Sequence, residues 1–352
     1  MEQQKIDILS LSKEELTAEL VAMGEKAFRA KQIYEWLHVK KVSDFSQMSN
    51  ISAQLRDELE RKFCLKSLII KKRLVSDIDN TVKYLYGLPD GESVETVLME
   101  YKHGNSLCIS TQVGCRMGCR FCASTIAGFV RHLLPSEMLL QIYETERDSG
   151  RHVDSIVLMG IGEPLDNFDN VMKFLSLLNS EGEGMSLRHI SLSTCGIVDR
   201  IYELAEMKTG LTLSISLHAA TDEKRSSIMP INKKYDLEQL MTACRHYFKK
   251  TGRRISFEYS LIEGVNDTEQ SANELIKLLK GMLCHVNLIP INEIRERDFR
   301  KSRFVERFRK RLTDAGINAT VRRTLGADIN AACGQLRRED KEHVKSQEAV
   351  SE

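Results

Sequence analysis

Apolar residues recur three and four apart through the first sixty or so positions, the spacing of one face of a helix. Ser12-x-x-Glu15 is a capping box ahead of Leu16, Leu20 and Met23, with Gly24 where a helix stop would stand. A second amphipathic stretch runs from about Ala27 to Leu37, and a third places Ile51, Leu55, Leu59 and Phe63 four apart on one face. Residues 1–65 therefore read as a small helical domain packed by itself. Between Ser67 and Met99 the period changes to two: Val82, Tyr84 and Tyr86 alternate with their neighbours, Pro89-Asp90-Gly91 supplies a turn, and Val94, Thr96 and Leu98 alternate again. Residues 66–104 read as a β-hairpin leading into the next unit. From 105 to 336 short apolar runs at Leu107–Ser110, Ser155–Met159, His189–Ser193, Leu211–Leu217, Ile255–Ile262 and Val286–Ile289 alternate with helical patterns such as Ser136–Thr145 and Leu237–Phe248. Such alternation predicts an α/β fold with a parallel sheet, and six repeats suit a partial (βα)6 barrel better than a complete eightfold one. A last strand candidate, Ala319–Arg323, precedes Gly326 and a loop carrying Cys333, and the polar, charge-mixed tail over 337–352 reads as poorly ordered.

Composition narrows the class. The chain has 352 residues, 42% hydrophobic and 29% charged, which suits a water-soluble globular protein rather than a collagenous, disordered or disulfide-stapled one. No apolar run reaches the roughly 18 residues of a membrane span, and Met1-Glu2-Gln3-Gln4-Lys5 lacks a signal-peptide pattern, so a cytoplasmic location without membrane attachment is expected. Lys and Arg number 51 against 50 Asp and Glu, so any nucleic-acid contact must come from local patches. Nine cysteines, an odd count, point away from a disulfide framework and toward metal or thiol chemistry.

That chemistry concentrates at Gly-Cys115-Arg-Met-Gly-Cys119-Arg-Phe-Cys122, a C-x3-C-x2-C run directly after the first barrel strand. Barrel folds collect their reactive groups at this end of the strands. Three thiolates on one loop can hold three irons of a four-iron, four-sulfur cluster and leave the fourth open, whereas an ordinary structural cluster takes four cysteines. The bland alternative is a zinc knot completed by Cys108 or a distant histidine.

The cysteine motif, with Phe121 before its last cysteine, resembles the radical S-adenosylmethionine (SAM) superfamily. The strings Gln112-Val-Gly-Cys115, Met159-Gly-Ile-Gly-Glu-Pro164, Ser216-Leu-His218, Met229-Pro-Ile-Asn232, Val286-Asn-Leu-Ile-Pro290 and Ala331-Ala-Cys-Gly-Gln-Leu336, in this order, are similar to the RlmN and Cfr family of adenine methyltransferases. The resemblance runs from the N-terminal helices to about Leu336. Pro164 after Gly162-Glu163 sides with the RlmN branch, where the Cfr pattern has alanine.

The resemblance implies one [4Fe-4S] cluster on Cys115, Cys119 and Cys122, with SAM at the open iron and SAM again as methyl donor. Gly162, Glu163, Ser193, Ser216, Leu217, His218 and Asn292 would line that SAM, Glu163 offering a carboxylate to its amino group. Carbon 2 of adenine is electron-poor and carries no acidic proton, so the cofactor must supply the hard step. The family solution first methylates Cys333. A second SAM is then cleaved reductively, a 5'-deoxyadenosyl radical takes hydrogen from the methylated cysteine, and the resulting thiomethylene radical adds to the ring, covalent catalysis splitting one difficult step into easier ones. Cys108 would resolve the protein–RNA adduct by disulfide formation with Cys333. Glu95 stands at the family's proton-accepting position, and the residues leave open which of Glu95 and Cys108 takes the ring proton. Gly326 and Gly334 flank a loop that has to move.

By the same resemblance the substrates are an adenosine of 23S rRNA and the adenosine beside the tRNA anticodon, and the electron donor is a reductase or flavodoxin-type protein. The chain is expected to act as a monomer, with the 1–65 domain contacting RNA. Between Glu293 and Leu312 nine Lys and Arg stand against four acids, a solvated helix face or a phosphate track, to which Lys71-Lys-Arg73 could add. The target adenine must be unstacked to reach a buried cluster. Two other readings compete: Cfr-type methylation at C8 of the same rRNA base, and a non-catalytic iron-sulfur or zinc RNA-binding module. Cys64, Cys244 and Cys284 read as small buried hydrophobes, and Cys195, in Ser193-Thr-Cys-Gly196, reads as packing beside a cofactor loop.

Overall fold

A computed structural model of the protein describes residues 5–180, 184–292, 297–329 and 334–341. The expected N-terminal helices form as α1 (Lys13–Ala22), α2 (Phe28–His38) and α3 (Ala53–Lys62). Ser12 caps α1, its side chain accepting from Glu15 N–H while the Glu15 carboxylate accepts from Ser12 N–H, so two orphan donors are satisfied reciprocally. Leu16, Leu20, Ile33, Leu37, Leu55 and Leu59 are buried.

These helices do not pack by themselves. Their apolar core is continuous with that of the rest of the chain, and polar contacts tie them to the helices α4 (Pro135–Ser149) and α5 (Phe168–Leu178). His38 Nδ1 meets the Tyr143 hydroxyl of α4 at 2.9 Å, and Tyr34 Oη meets Ser180 Oγ just beyond α5 at 2.7 Å. The expected boundary at 65 is a change of architecture within one core.

Ten strands form one sheet and lie across it in chain order: β1 (Ile69–Val75), β2 (Val82–Gly87), β3 (Ser93–Tyr101), β4 (Gly104–Cys108), β5 (Ser155–Leu158), β6 (Ile190–Thr194), β7 (Thr212–Ser216), β8 (Ile255–Leu261), β9 (Cys284–Pro290) and β10 (Asn318–Val321). From β4 to β10 the pairing is parallel, with helices in every crossover, as parallel neighbours require. Here α6 is Val198–Met207, α7 Asp222–Ile228, α8 Leu237–Thr251, α9 Glu269–Leu279 and α10 Val305–Asp314. Among the described residues β1 and β10 are the two ends of the sheet, so it does not close, as a partial barrel should not. All seven strand candidates of the barrel are present, with ends shifted by up to three residues.

The 66–104 segment differs from a simple hairpin. It holds three antiparallel strands, and β3 pairs with β4, so the extension continues the barrel sheet. Both faces of β3 are buried: Val94, Thr96 and Leu98 face α4, where Thr96 Oγ1 donates to Gln141 at 2.9 Å, while Glu95 and Val97 face the other way. That second face is covered by a helix over 335–341, which corrects the expectation of a disordered tail from residue 337. Leu336 and Arg337 are buried, Arg337 pairs with Glu92 at 3.1 Å, and Asp340 accepts from Lys71 and Ser93 at 2.9 Å each. The rest of the tail, 342–352, lies outside the described residues.

Candidate active site

The loop that carries the three cysteines is rooted by backbone packing. Gly114 has φ +77°, and a Cβ there would lie 1.7 Å from the Gly128 carbonyl oxygen, so only glycine allows the cysteine loop to cross that segment. The loop after β5 is pressed against the same root: a Cβ on Gly162 would meet Gln112 Cβ at 2.7 Å, and one on Gly160 would meet the Ile109 carbonyl at 2.5 Å. Gln112 Oε1 accepts from Glu163 N–H at 2.8 Å. Cysteine loop and Gly-Glu-Pro loop are therefore one rigid unit.

Cys115, Cys119 and Cys122 all line one cavity of about 540 Å³ at the C-terminal ends of the parallel strands. Burial pushes the Cys115 thiol up to about 12 and the Cys119 thiol well above its ordinary value, each raised further by the neighbouring cysteines. Bare, these thiols hold their protons; ligation to a cation deprotonates them. Among the described residues no three His, Cys, Asp or Glu side chains converge at the spacing of a single metal ion. Three thiols of one loop facing a cavity of this size fit a cluster that leaves one iron open. Cys108 packs with Val97 and Met99 in one apolar group and Cys119, Phe121 and Cys195 belong to another, and both groups line this same cavity.

Of the expected SAM contacts, Gly162, Glu163, Ser193, Ser216, His218 and Asn292 share the cavity wall with the cysteines, as does Cys108. Glu163 is 4% exposed; its oxygens accept from Cys195 N–H at 2.7 Å and Leu165 N–H at 3.1 Å, and burial raises its pKa. His218 sits at φ +55°, a strained conformation for a side-chain-bearing residue. Its Nδ1 accepts from Ser260 N–H at 2.9 Å, which leaves the proton on Nε2, and burial pushes its pKa down to about 3. The Phe121 ring meets His218 edge-on with centroids 4.8 Å apart, giving the motif's aromatic residue a packing role. Leu217 departs from expectation: its side chain is wholly buried in the main core and it does not line the cavity, while its carbonyl accepts from Arg225.

Two residues escaped the sequence reading. Arg225 of α7 is 0% exposed, and its guanidinium donates to the carbonyls of Leu217 (3.1 Å), Cys195 (2.6 Å) and Ser216 (3.3 Å) and to Asn232 Oδ1 (2.9 Å), gathering the loops after β6 and β7 onto one cation. Nothing in the local sequence marks it. Glu258 is a buried acid on the cavity wall, held by Asn287 at 2.8 Å, with its pKa raised by burial. A lone acid in the apolar run Ile255–Ile262 was a readable signal.

Cys195 is more than packing, since it lines the cavity and its N–H holds Glu163. Cys244 and Cys284 are buried in the main core as expected, whereas Cys64 is only half-buried. Cys333 lies outside the described residues, but the chain on either side, at Gly326 and Gln335, reaches the cavity wall. Glu95 does not line the cavity. It pairs with Lys83 at 3.0 Å, both side chains fully buried, and its two oxygens accept from Gly334 and Arg337 N–H at 2.8 Å each. On α10 the basic residues are largely neutralised: Arg307 pairs with Glu269, Arg309 with Glu306 and Lys310 with Asp314, all at 2.8 Å, which favours a solvated helix face over a phosphate track.

Comparison with known proteins agrees with this geometry. Residues 6–65 match the family described as the ribosomal RNA large subunit methyltransferase N-terminal domain, and residues 109–278 match the radical SAM superfamily. A relative from Lachnoclostridium phytofermentans, named probable dual-specificity RNA methyltransferase RlmN, is 54% identical over 338 residues, 95% of each chain. One of the same name from Clostridium perfringens strain 13 is 53% identical over 94% of this chain and 96% of its own. The crystal structure of a radical SAM methyltransferase from Sphaerobacter thermophilus superposes with a TM-score of 0.90 at 40% identity, covering 94% of this chain and 98% of that one. With a barrel, a three-thiol cavity and full-length relatives in agreement, the chain belongs to the RlmN family of radical SAM methyltransferases.

Proposed function

We propose that the chain methylates C2 of adenosine 2503 in 23S rRNA and of adenosine 37 in tRNA, through a methylated cysteine. The observation that carries this reading is the convergence, on one cavity, of Cys115, Cys119 and Cys122 with Glu163, His218 and the flanks of Cys333. Residue identity and placement support a cluster on the three thiols, which when bound would supply the electron for reductive SAM cleavage. Glu163 would orient the SAM amino group with lone pairs its two backbone donors leave over, and Arg225 would hold the Ser216–His218 turn against the same ligand. His218, neutral and protonated on Nε2, would act as a hydrogen-bond donor.

Cys333, as thiolate, would take the first methyl from the SAM sulfonium, its S–C bond forming as S-adenosylhomocysteine leaves. Cys108 on the cavity wall, as thiolate, would later attack the sulfur of Cys333 in the RNA adduct: the disulfide forms as the Cys333 S–CH2 bond breaks, its electron pair passes to the methylene carbon and the adenine ring, and protonation of that carbon gives the methyl group. For the ring proton, Cys108 faces the cavity, whereas Glu95 would first have to exchange its N–H partners. Among the described residues no helix is long and apolar enough to cross a membrane, consistent with action on RNA in the cytoplasm.

Anaerobic reconstitution tests the reading. About four irons per chain, SAM cleavage under reductant and 2-methyladenosine in rRNA and tRNA fragments are expected. Stoichiometric zinc without SAM cleavage would overturn it in favour of a binding module, and 8-methyladenosine would move the chain to Cfr-type chemistry.

A further inference from the structure

We propose that Lys83 and Glu95 form a buried anchor that positions the turn following Cys333, making Glu95 a positioning residue in the first half of the reaction; this rests on the reading of Cys333 as methyl carrier. In the β2–β3 register Lys83 stands opposite Val97 and Leu85 opposite Glu95, so the two charged residues are diagonal neighbours on one face. A surface hairpin would leave such a pair solvated and worth little. Here both side chains are fully buried under the 334–341 segment. Taking two charges out of water is costly unless their remaining hydrogen-bonding positions are filled. The filling comes from the covering segment: Gly334 N–H reaches Glu95 Oε2 and Arg337 N–H reaches Oε1, each at 2.8 Å, while Lys83 Nζ lies 3.0 Å from Oε2.

A helix start leaves its first amide groups without partners, and a Ser, Thr, Asp or Asn just before it satisfies them. Gly334 has no side chain to do so. Glu95 performs that task from another element, 239 residues away in sequence from Gly334. A second contact fixes the same point: Gly334 has φ +86°, and a Cβ there would lie 2.7 Å from Ser124 N, in the turn that follows Cys122. The residue after Cys333 is thus tied to the sheet through a carboxylate and to the cysteine loop through close backbone packing. A carboxylate offers two acceptor oxygens, a carboxamide only one. In Glu95→Gln one of the two N–H groups would therefore face an NH2 group.

Two measurements on the full chain test this. Hydrogen exchange of the apo protein should show the 334–341 amides of Glu95→Gln exchanging about tenfold faster or more, as expected for loss of a charge-assisted bond, with α8 unchanged. Lys83→Met should act in the same direction. The double variant Lys83→Met/Glu95→Gln buries no unpaired charge and keeps the test available if a single variant does not fold. Unchanged exchange over 334–341 in Glu95→Gln and in the double variant would overturn the anchor.

In the reconstituted enzyme without RNA, peptide mass spectrometry of Cys333 methylation should show an initial rate at least about tenfold lower in Glu95→Gln. A residue that acts only as proton acceptor would leave this step untouched and accumulate the protein–RNA adduct, so wild-type Cys333 methylation in Glu95→Gln would overturn the positioning role. No Cys333 methylation in the wild-type enzyme would instead defeat the methyl-carrier reading, while the exchange result would still judge the anchor.

Discussion

Two buried histidines are expected to make a contribution to the stability of the apo protein that is lost in mild acid. His38 is packed between α2 and α4 with Nδ1 against the Tyr143 hydroxyl, its Nε2 is buried without a hydrogen-bond partner, and burial pushes its pKa down to about 4. His218, beside the cavity, is pushed down to about 3 by burial and then by the positive charge of Arg225; protonating its Nδ1 would also break the bond from Ser260 N–H. In the unfolded chain both titrate near 6.5. Between 6.5 and the folded values the unfolded state binds protons that the native state refuses. Stability is thus fully present above about pH 6.5 and is lost as pH falls, by about 1.4 kcal/mol per unit for each histidine. The limiting losses are about 3 kcal/mol for His38 and about 5 kcal/mol for His218.

Glu163 and Glu258, whose folded pKa values are raised by burial, push the other way in part of this window. The comparison must therefore be between proteins at each pH. Urea unfolding of the wild type, His38→Gln and His218→Gln, in steps from pH 7.5 to 4.5, should give curves that diverge by about 1 kcal/mol per unit below pH 6, each variant losing less stability with acid than the wild type. Parallel curves would refute the assignment of both histidines as neutral buried groups.

Gly114→Ala should prevent the cysteine loop from crossing the Gly128 carbonyl, so the soluble variant should bind well under half the wild-type iron after reconstitution; full iron content would contradict the packing argument. Arg225→Met leaves three carbonyls and the Asn232 amide oxygen without their donor, and a loss of about 3–5 kcal/mol in unfolding free energy is expected, with weakened SAM binding by calorimetry. A change below about 1 kcal/mol would mean water replaces the guanidinium. Cys333→Ala should abolish RNA methylation while SAM cleavage under reductant persists; retained product formation would remove the methyl-carrier role.

The parts of the molecule set by local chemistry were legible along the chain. The capping box at Ser12, the seven barrel strands and the C-x3-C-x2-C loop each declare themselves within a few residues. What could not be read depends on partners far away in sequence. His38 and Tyr34 lie on helix faces that look like ordinary surface until α4 and α5 cover them. Lys83 and Glu95 resemble the polar face of a hairpin, because the helix that buries them begins some 240 residues later. Arg225 has no motif of its own, since its acceptors are main-chain carbonyls that any residue could offer. Leu217 carries its neighbours' pattern, yet the strand's alternation turns its side chain into the core. The tail beyond residue 337 looked unstructured by composition, and its first turn is ordered by Arg337, Asp340 and the Glu95 carboxylate rather than by apolar periodicity.

The most direct test of the central claim is nucleoside mass spectrometry of an unmodified 23S rRNA fragment after incubation with the anaerobically reconstituted protein, SAM and a reductant. The expected product is 2-methyladenosine at position 2503, formed by the wild type and absent with Cys119→Ser. Methylation at any other position of the base, or product formed equally well without the cysteine ligand, would contradict the account.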